Sequence, residues 1–181
     1  VTRKLLNFAL FQVGWFACVL GGAHDMPVAA VAAAVAVVGM SLWWFSADRV
    51  SDLRLIEAVA LIGFCVDTVH LRFGVFALVG DPRFPHLCPL WLLALWAVFG
   101  TTLRGSLSWL AGRYGMAALL GAVAGPLSYI GGAKLGAVTM HPNHVFSMAA
   151  LAVGWAVVMP LLVWLAHKQG TGGRGQGAGK E

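Results

Sequence analysis

Residues 28–46, VAAVAAAVAVVGMSLWWFS, pass from end to end without one charged side chain. A helix needs about 20 consecutive apolar residues to cross the roughly 30 Å hydrocarbon core of a bilayer, and this stretch fits that length. It is too long for a buried strand, and too uniformly apolar for a helix with one face in water. The reading is a membrane-spanning helix, because only helices and closed barrels satisfy their backbone polar groups inside lipid.

Working outward, the same pattern recurs. Before it, Leu5 to Gly22 forms an apolar run opened by Arg3 and Lys4 and closed by His24-Asp25-Met26-Pro27. After it come runs at about 53–71, 89–104, 114–140 and 145–166, separated by a polar stretch at 47–52, the Pro-rich loop GDPRFPHLC at 80–88, Arg104 to Arg113, and the turn His141-Pro142-Asn143-His144. The segment Phe73 to Val79 is apolar but too short to span alone. The expected fold is all-α, a polytopic transmembrane bundle of about six helices. It occupies one domain over residues 1–168, and the Gly-rich stretch at 169–181 is expected to be a disordered cytoplasmic tail. The first run resembles a signal peptide in having a basic start, but it is long for that role and contains Asn7 and Gln12, so a retained helix is expected.

Composition agrees with a bilayer as the solvent. Of 181 residues, 60% are hydrophobic and 10% are charged, against about 25% charged in an ordinary soluble domain. The net charge of +5 does not imply nucleic acid, since the basic residues sit at the ends of apolar runs instead of on one face. With the N-terminus inside, Arg3, Lys4, Arg49, Arg54, Arg104, Arg113, Lys168, Arg174 and Lys180 are cytoplasmic, and only Arg72, Arg83 and Lys134 lie outside. That distribution follows the positive-inside rule and predicts both termini in the cytoplasm. Cys18, Cys65 and Cys88 lack metal-type spacing and read as structural thiols. The eight Trp residues fall mostly near run ends, where amphipathic rings anchor helices at the interface.

Ionisable and polar groups inside spans are costly, so they single out candidate sites. The third run carries Glu57, Asp67 and His70. Asp67 and His70 are three apart on one helix face, where a carboxylate beside an imidazole is able to fix its tautomer, bind a metal or relay a proton. They are the candidate catalytic residues, and a local pair stabilising the helix end is the alternative. Glu57 is expected to pair with Arg54 at the surface. His24, His86, His141 and His144 map to the same outer side and are weak candidates for a metal site, but no metal-binding motif is present and no metal is predicted.

In the fifth run, Gly121 and Gly125, then Gly132 and Gly136, form two GxxxG patterns around Pro126, which suits close helix packing. Ser128 and Tyr129 are placed to satisfy carbonyls freed by the proline. Lys134 either reaches outward to the headgroups or pairs with Asp67. Asn7 and Gln12 are placed to bond across helices, and Arg104, after Thr101 and Thr102, marks the cytoplasmic border of the fourth run.

Four segments carry a resemblance: Asn7-Phe8 with Phe11 to Cys18; Pro89 to Leu92 with Leu95-Trp96; Phe99, Thr101 to Leu103 and Ser106 to Leu110; and Gly125 to Tyr129 with Gly136-Ala137. In this order the chain resembles the bacterial inner-membrane family catalogued as a domain of unknown function, DUF2878. The resemblance implies a bacterial inner-membrane location and carries over no activity, cofactor or site residue.

Packing motifs outnumber catalytic ones, so the leading expectation is a non-enzymatic inner-membrane protein, an accessory factor in lipid or envelope metabolism. A membrane-embedded enzyme using Asp67 and His70 is the second reading. The third is a small transporter or proton-coupled carrier built on Asp67, Lys134 and the break at Gly125-Pro126. The bilayer is the expected partner, with a membrane-protein partner or homo-oligomer left open, and neither a cofactor nor nucleic acid is expected.

Overall fold

The computed structural model describes residues 1–80 and 83–175. It is nearly all helical: α1 (Thr2–Ala23), α2 (Pro27–Phe45), α3 (Arg49–Arg72), α4 (Leu90–Leu103), α5 (Tyr114–Lys134) and α6 (His144–Gly175). Two short strands, β1 (Phe76–Leu78) and β2 (Val138–Met140), and one 3₁₀ turn at Ser108–Leu110 complete it. Large apolar side chains such as Val35, Leu61, Leu119 and Val153 point outward all round the helices. In water such a surface would associate, whereas in lipid it is solvated.

Four helices, α1, α2, α5 and α6, are long and apolar enough to cross a membrane among the described residues. The other two depart from the simple expectation for stated reasons. α3 is 24 residues long but carries Asp52, Glu57 and Asp67 with basic residues at both ends. α4 is apolar but only 14 residues long. It packs against α1, α2 and α3, so it needs little lipid-matching surface of its own.

The fifth helix ends at Lys134, not near Met140 as the apolar run suggested. Gly136 takes φ +84°, a left-handed conformation that costs glycine little. The Ala137 N–H then bonds back to the Gly132 carbonyl, and the chain leaves as β2. α3 stops the same way, with Gly74 at φ +65° and the Val75 N–H on the His70 carbonyl. β1 and β2 pair antiparallel, Phe76 with Met140 and Leu78 with Val138. This ribbon was invisible in the apolar runs, because three strand residues carry no periodicity distinct from a helix end.

The paired turns expose an internal repeat. The unit is helix, left-handed glycine, strand, helix: α3–β1–α4 and α5–β2–α6. The two strands form the ladder that joins the units at the end of the bundle where α1 turns into α2.

At the other end of the chain, α6 runs through Pro160 and continues to Gly175. Residues 169–175, expected to be disordered, are therefore helical, and 176–181 lie outside the described residues. A long established helix propagates cheaply into a weak sequence when no proline stops it.

Helices α1 to α4 form one tightly packed group, and α5 packs chiefly on α6. Gly121 and Gly125 explain the second contact. A Cβ on Gly121 would come within 2.4 Å of the Trp155 carbonyl oxygen, and one on Gly125 within 2.2 Å of the Trp155 ring. Only glycine lets α5 lie this close to α6. The second pattern works differently, since Gly132 has only an ordinary 3.8 Å neighbour and Gly136 lies in the turn.

Candidate functional site

Asp67 is completely buried, seven residues before Gly74 on α3. Tyr129 is seven residues before Gly136 on α5, the equivalent place in the second repeat, and its hydroxyl donates to Asp67 Oδ1. The other carboxylate oxygen accepts from the Trp96 indole N–H at 2.6 Å. Both oxygens are thus engaged by neutral donors from two other helices. In a bilayer interior such bonds offset the cost of the carboxyl group, since water is absent.

His70 is also buried, and its Nδ1 lies 3.7 Å from Asp67 Oδ1, too far for a hydrogen bond. Nδ1 has no partner, while Nε2 faces Gly154 of α6, where a Cβ would lie at 2.9 Å. Above this pair the Phe76 ring of β1 packs 5.0 Å from Tyr129. The ribbon therefore covers the site from its own end.

Aromatic rings build the remaining wall. Trp96 and Trp155 stack at 4.8 Å and 11°, with Phe99 edge-on to both. Trp15 donates from its indole to Ser128 Oγ at 3.1 Å, bridging α1 and α5. Interface anchoring thus accounts for only part of the tryptophans. Trp43 and Trp164 do lie exposed under cations, Arg49 at 4.8 Å and Lys168 at 4.9 Å. Trp96 and Trp155 sit in mid-helix, and that placement is the signal that should have set them apart.

The polar candidates separate into distinct places. Lys134 is exposed in the last turn of α5, so the Lys134–Asp67 pair does not form and Tyr129 takes the lysine's place. Five residues apart on one helix, the two side chains point to different faces. Glu57 and Arg54 are both exposed and make no ion pair with each other. Long charged side chains gain little from pairing at a wet surface. His24, His86 and His144 are exposed and His141 half-buried, and no three His, Cys, Asp or Glu side chains gather among the described residues. His141 Nδ1 instead accepts from the Asn143 N–H within its own turn.

A second polar cluster lies at the far end of the bundle. Arg104 caps α4 and contacts Asp52 at 2.6 Å, Ser51 Oγ at 2.9 Å and the Ala166 carbonyl at 3.2 Å. Asn7, fully buried, accepts from the Ser106 N–H and donates to Ser41 Oγ and the Thr101 carbonyl. Both brace helices against one another; Asn7 is fully bonded, whereas Arg104 keeps one buried guanidinium nitrogen without a partner.

α1 and α5 touch little apart from the Trp15 bridge, and a groove opens sideways between them. Its volume is about 480 Å³, with Phe8, Phe11, Gln12, Phe99, Ala124 and Trp155 among its walls. A smaller void of about 60 Å³ continues it past Trp15 and Ser128 to Tyr129. Phe8, Phe11, Gln12, Trp15 and Val19 on α1 line the two spaces at helical spacing, so one face of α1 forms the wall.

A family model described as "Protein of unknown function (DUF2878)" matches residues 4–161, most of the chain. The chain belongs to the DUF2878 family. The match takes in Asp67, His70, Trp96, Tyr129, Trp155 and the α1 face of the groove, so the site described here lies wholly within the family's stretch. No curated protein and no solved structure matches the chain.

Proposed function

We propose that this DUF2878 chain is a multi-pass protein of the bacterial inner membrane that holds a membrane-dissolved apolar molecule, as an accessory factor in lipid or envelope metabolism. The observation that carries this reading is the lateral groove between α1 and α5, whose walls are mostly apolar and aromatic and which opens between two helices apolar enough to cross a membrane. A pocket of this size falls in the usual range for small-molecule sites, about 300–1,000 Å³. The uneven distribution of basic residues supports both termini lying in the cytoplasm.

The test is extraction in lipid-retaining polymer discs, with quantification of the bound molecules against the bulk membrane. Wild-type protein should retain an enriched apolar species that Ala124→Trp, which fills the groove from an exposed position on α5, no longer retains. Identical bound and bulk compositions in both proteins would sink the reading.

A membrane-embedded enzyme using Asp67 and His70 is a second reading, favoured by the unpartnered His70 Nδ1 beside a buried carboxyl group. An imidazole so placed is able to shuttle a proton. Turnover of a lipid by purified protein alone, lost in Asp67→Asn, would establish it and displace the accessory role. The carrier reading draws no support from the void beside Tyr129, which is small and walled by aromatic and aliphatic side chains.

A further inference from the structure

Gln12 lies halfway along α1, on the wall of the groove. Its side-chain amide makes no hydrogen bond among the described residues. Asn7, one and a half turns earlier, is fully engaged, and Ser128 and Thr102 on the same wall each hold one hydrogen bond. An amide left alone at mid-bilayer depth is costly, because no water reaches it. Among the residues that line the groove, the Gln12 amide and the buried Trp155 indole N–H are thus left without a partner, and what they call for is a neutral group that forms hydrogen bonds.

The walls exclude charged occupants. No Lys, Arg, His, Asp or Glu lines the groove, so a phosphate or carboxylate headgroup would enter without a counter-charge. An acyl chain alone would leave the Gln12 amide unmet. The ester oxygens of an ordinary glycerolipid lie near the bilayer surface, half a helix away from Gln12. Beside aliphatic side chains, the lining includes the flat rings of Phe8, Phe11, Trp15, Phe99 and Trp155, which suit a flat conjugated partner.

Resting on the groove reading above, we propose that the occupant is an isoprenoid-type quinone. A ring carbonyl accepts from the Gln12 amide, the ring lies among the aromatic side chains, and the apolar tail leaves through the open side between α1 and α5. Such a molecule is uncharged and dissolves within the hydrocarbon interior, at the depth where Gln12 waits.

The experiment is equilibrium binding to the full chain in phosphatidylcholine nanodiscs, read by native mass spectrometry. The probes are decylubiquinone, dioctanoylglycerol and dioleoyl phosphatidic acid, and the proteins are wild type, Gln12→Leu and Ala124→Trp. The expected result is saturable decylubiquinone binding near one per chain, about tenfold weaker in Gln12→Leu as for loss of one buried hydrogen bond, and abolished in Ala124→Trp. Gln12→Leu adds an apolar side chain to a lipid-compatible helix, and circular dichroism checks that it folds. Saturable dioctanoylglycerol binding without the quinone overturns the quinone assignment and leaves the groove reading standing. Preference for phosphatidic acid overturns the neutral-ligand argument. Binding of none of the three overturns both, and a dimer dissociated by Ala124→Trp shows that a second copy covers the face, which overturns the ligand as well.

Discussion

Asp67 presents the sharpest chemical problem in the molecule, a fully buried carboxyl group whose two hydrogen-bond donors are both neutral. Its partners are a phenol and an indole, each contributed by a different helix. Removing one donor should therefore be felt directly. Tyr129→Phe is expected to lower stability by about 1–3 kcal/mol, the cost of leaving a buried polar atom short of a partner, measured by unfolding in bicelles. An unchanged unfolding curve would mean that Asp67 draws nothing from the phenol. Cys88, in the loop before α4, gives a pH test. Burial pushes its thiol up, and the nearby Asp67 charge adds to that. The neutral thiol then persists as pH rises through about 8.5, the ordinary cysteine value, and alkylation by iodoacetamide should stay slow at pH 9 in folded protein. A rate that climbs with a midpoint near the ordinary value would contradict this burial.

Glycines show how one residue type takes opposite roles in neighbouring elements. Gly121 meets the Trp155 backbone with no room for a methyl group, whereas Gly39 in α2 has nothing within 4 Å of where a Cβ would stand. Gly121→Ala should accordingly destabilise by about 1–3 kcal/mol through forced separation of α5 and α6. Gly39→Ala should stabilise by about 0.5–1 kcal/mol through helix propensity. Parallel thermal or denaturant titrations of the two variants check both signs, and a loss in Gly39→Ala would be as damaging as a gain in Gly121→Ala. The apolar run from Tyr114 to Met140 gave no sign that α5 stops at Lys134, because Gly136 breaks the helix by conformation and not by polarity. Conversely, the GxxxG spacing at Gly121 and Gly125 was legible, since close backbone approach has a composition of its own.

The whole molecule is two groups of helices, α1–α4 and α5–α6, joined by packing of α3 on α6 and at one end by the β1–β2 ribbon, and separated along one side by the groove. Asp67 and Tyr129, at equivalent places in the two repeats, close the boundary where the ribbon covers it. Orientation belongs to this scale. In protein whose native cysteines are replaced by alanine, Phe84→Cys on the β1–α4 loop should react with an impermeant maleimide added to intact spheroplasts. Arg113→Cys on the α4–α5 connection should react only after permeabilisation. The reverse pattern would overturn the cytoplasmic placement of both termini.

Hydropathy and charge placement alone determined that the chain is a helical membrane protein, roughly where its helices begin, and which few residues are too polar to be there by chance. These are properties of single segments against a uniform solvent, so no neighbour is needed to read them. Which helix face meets which was decided only by the tertiary structure. Asp67 was legible as needing a partner on another helix, yet Lys134 and Tyr129 stood five residues apart on the same run, and only packing turned the tyrosine inward. The stacked Trp96 and Trp155, the ribbon and the groove are likewise products of pairing between segments, and pair geometry leaves no mark on the hydropathy of either segment alone.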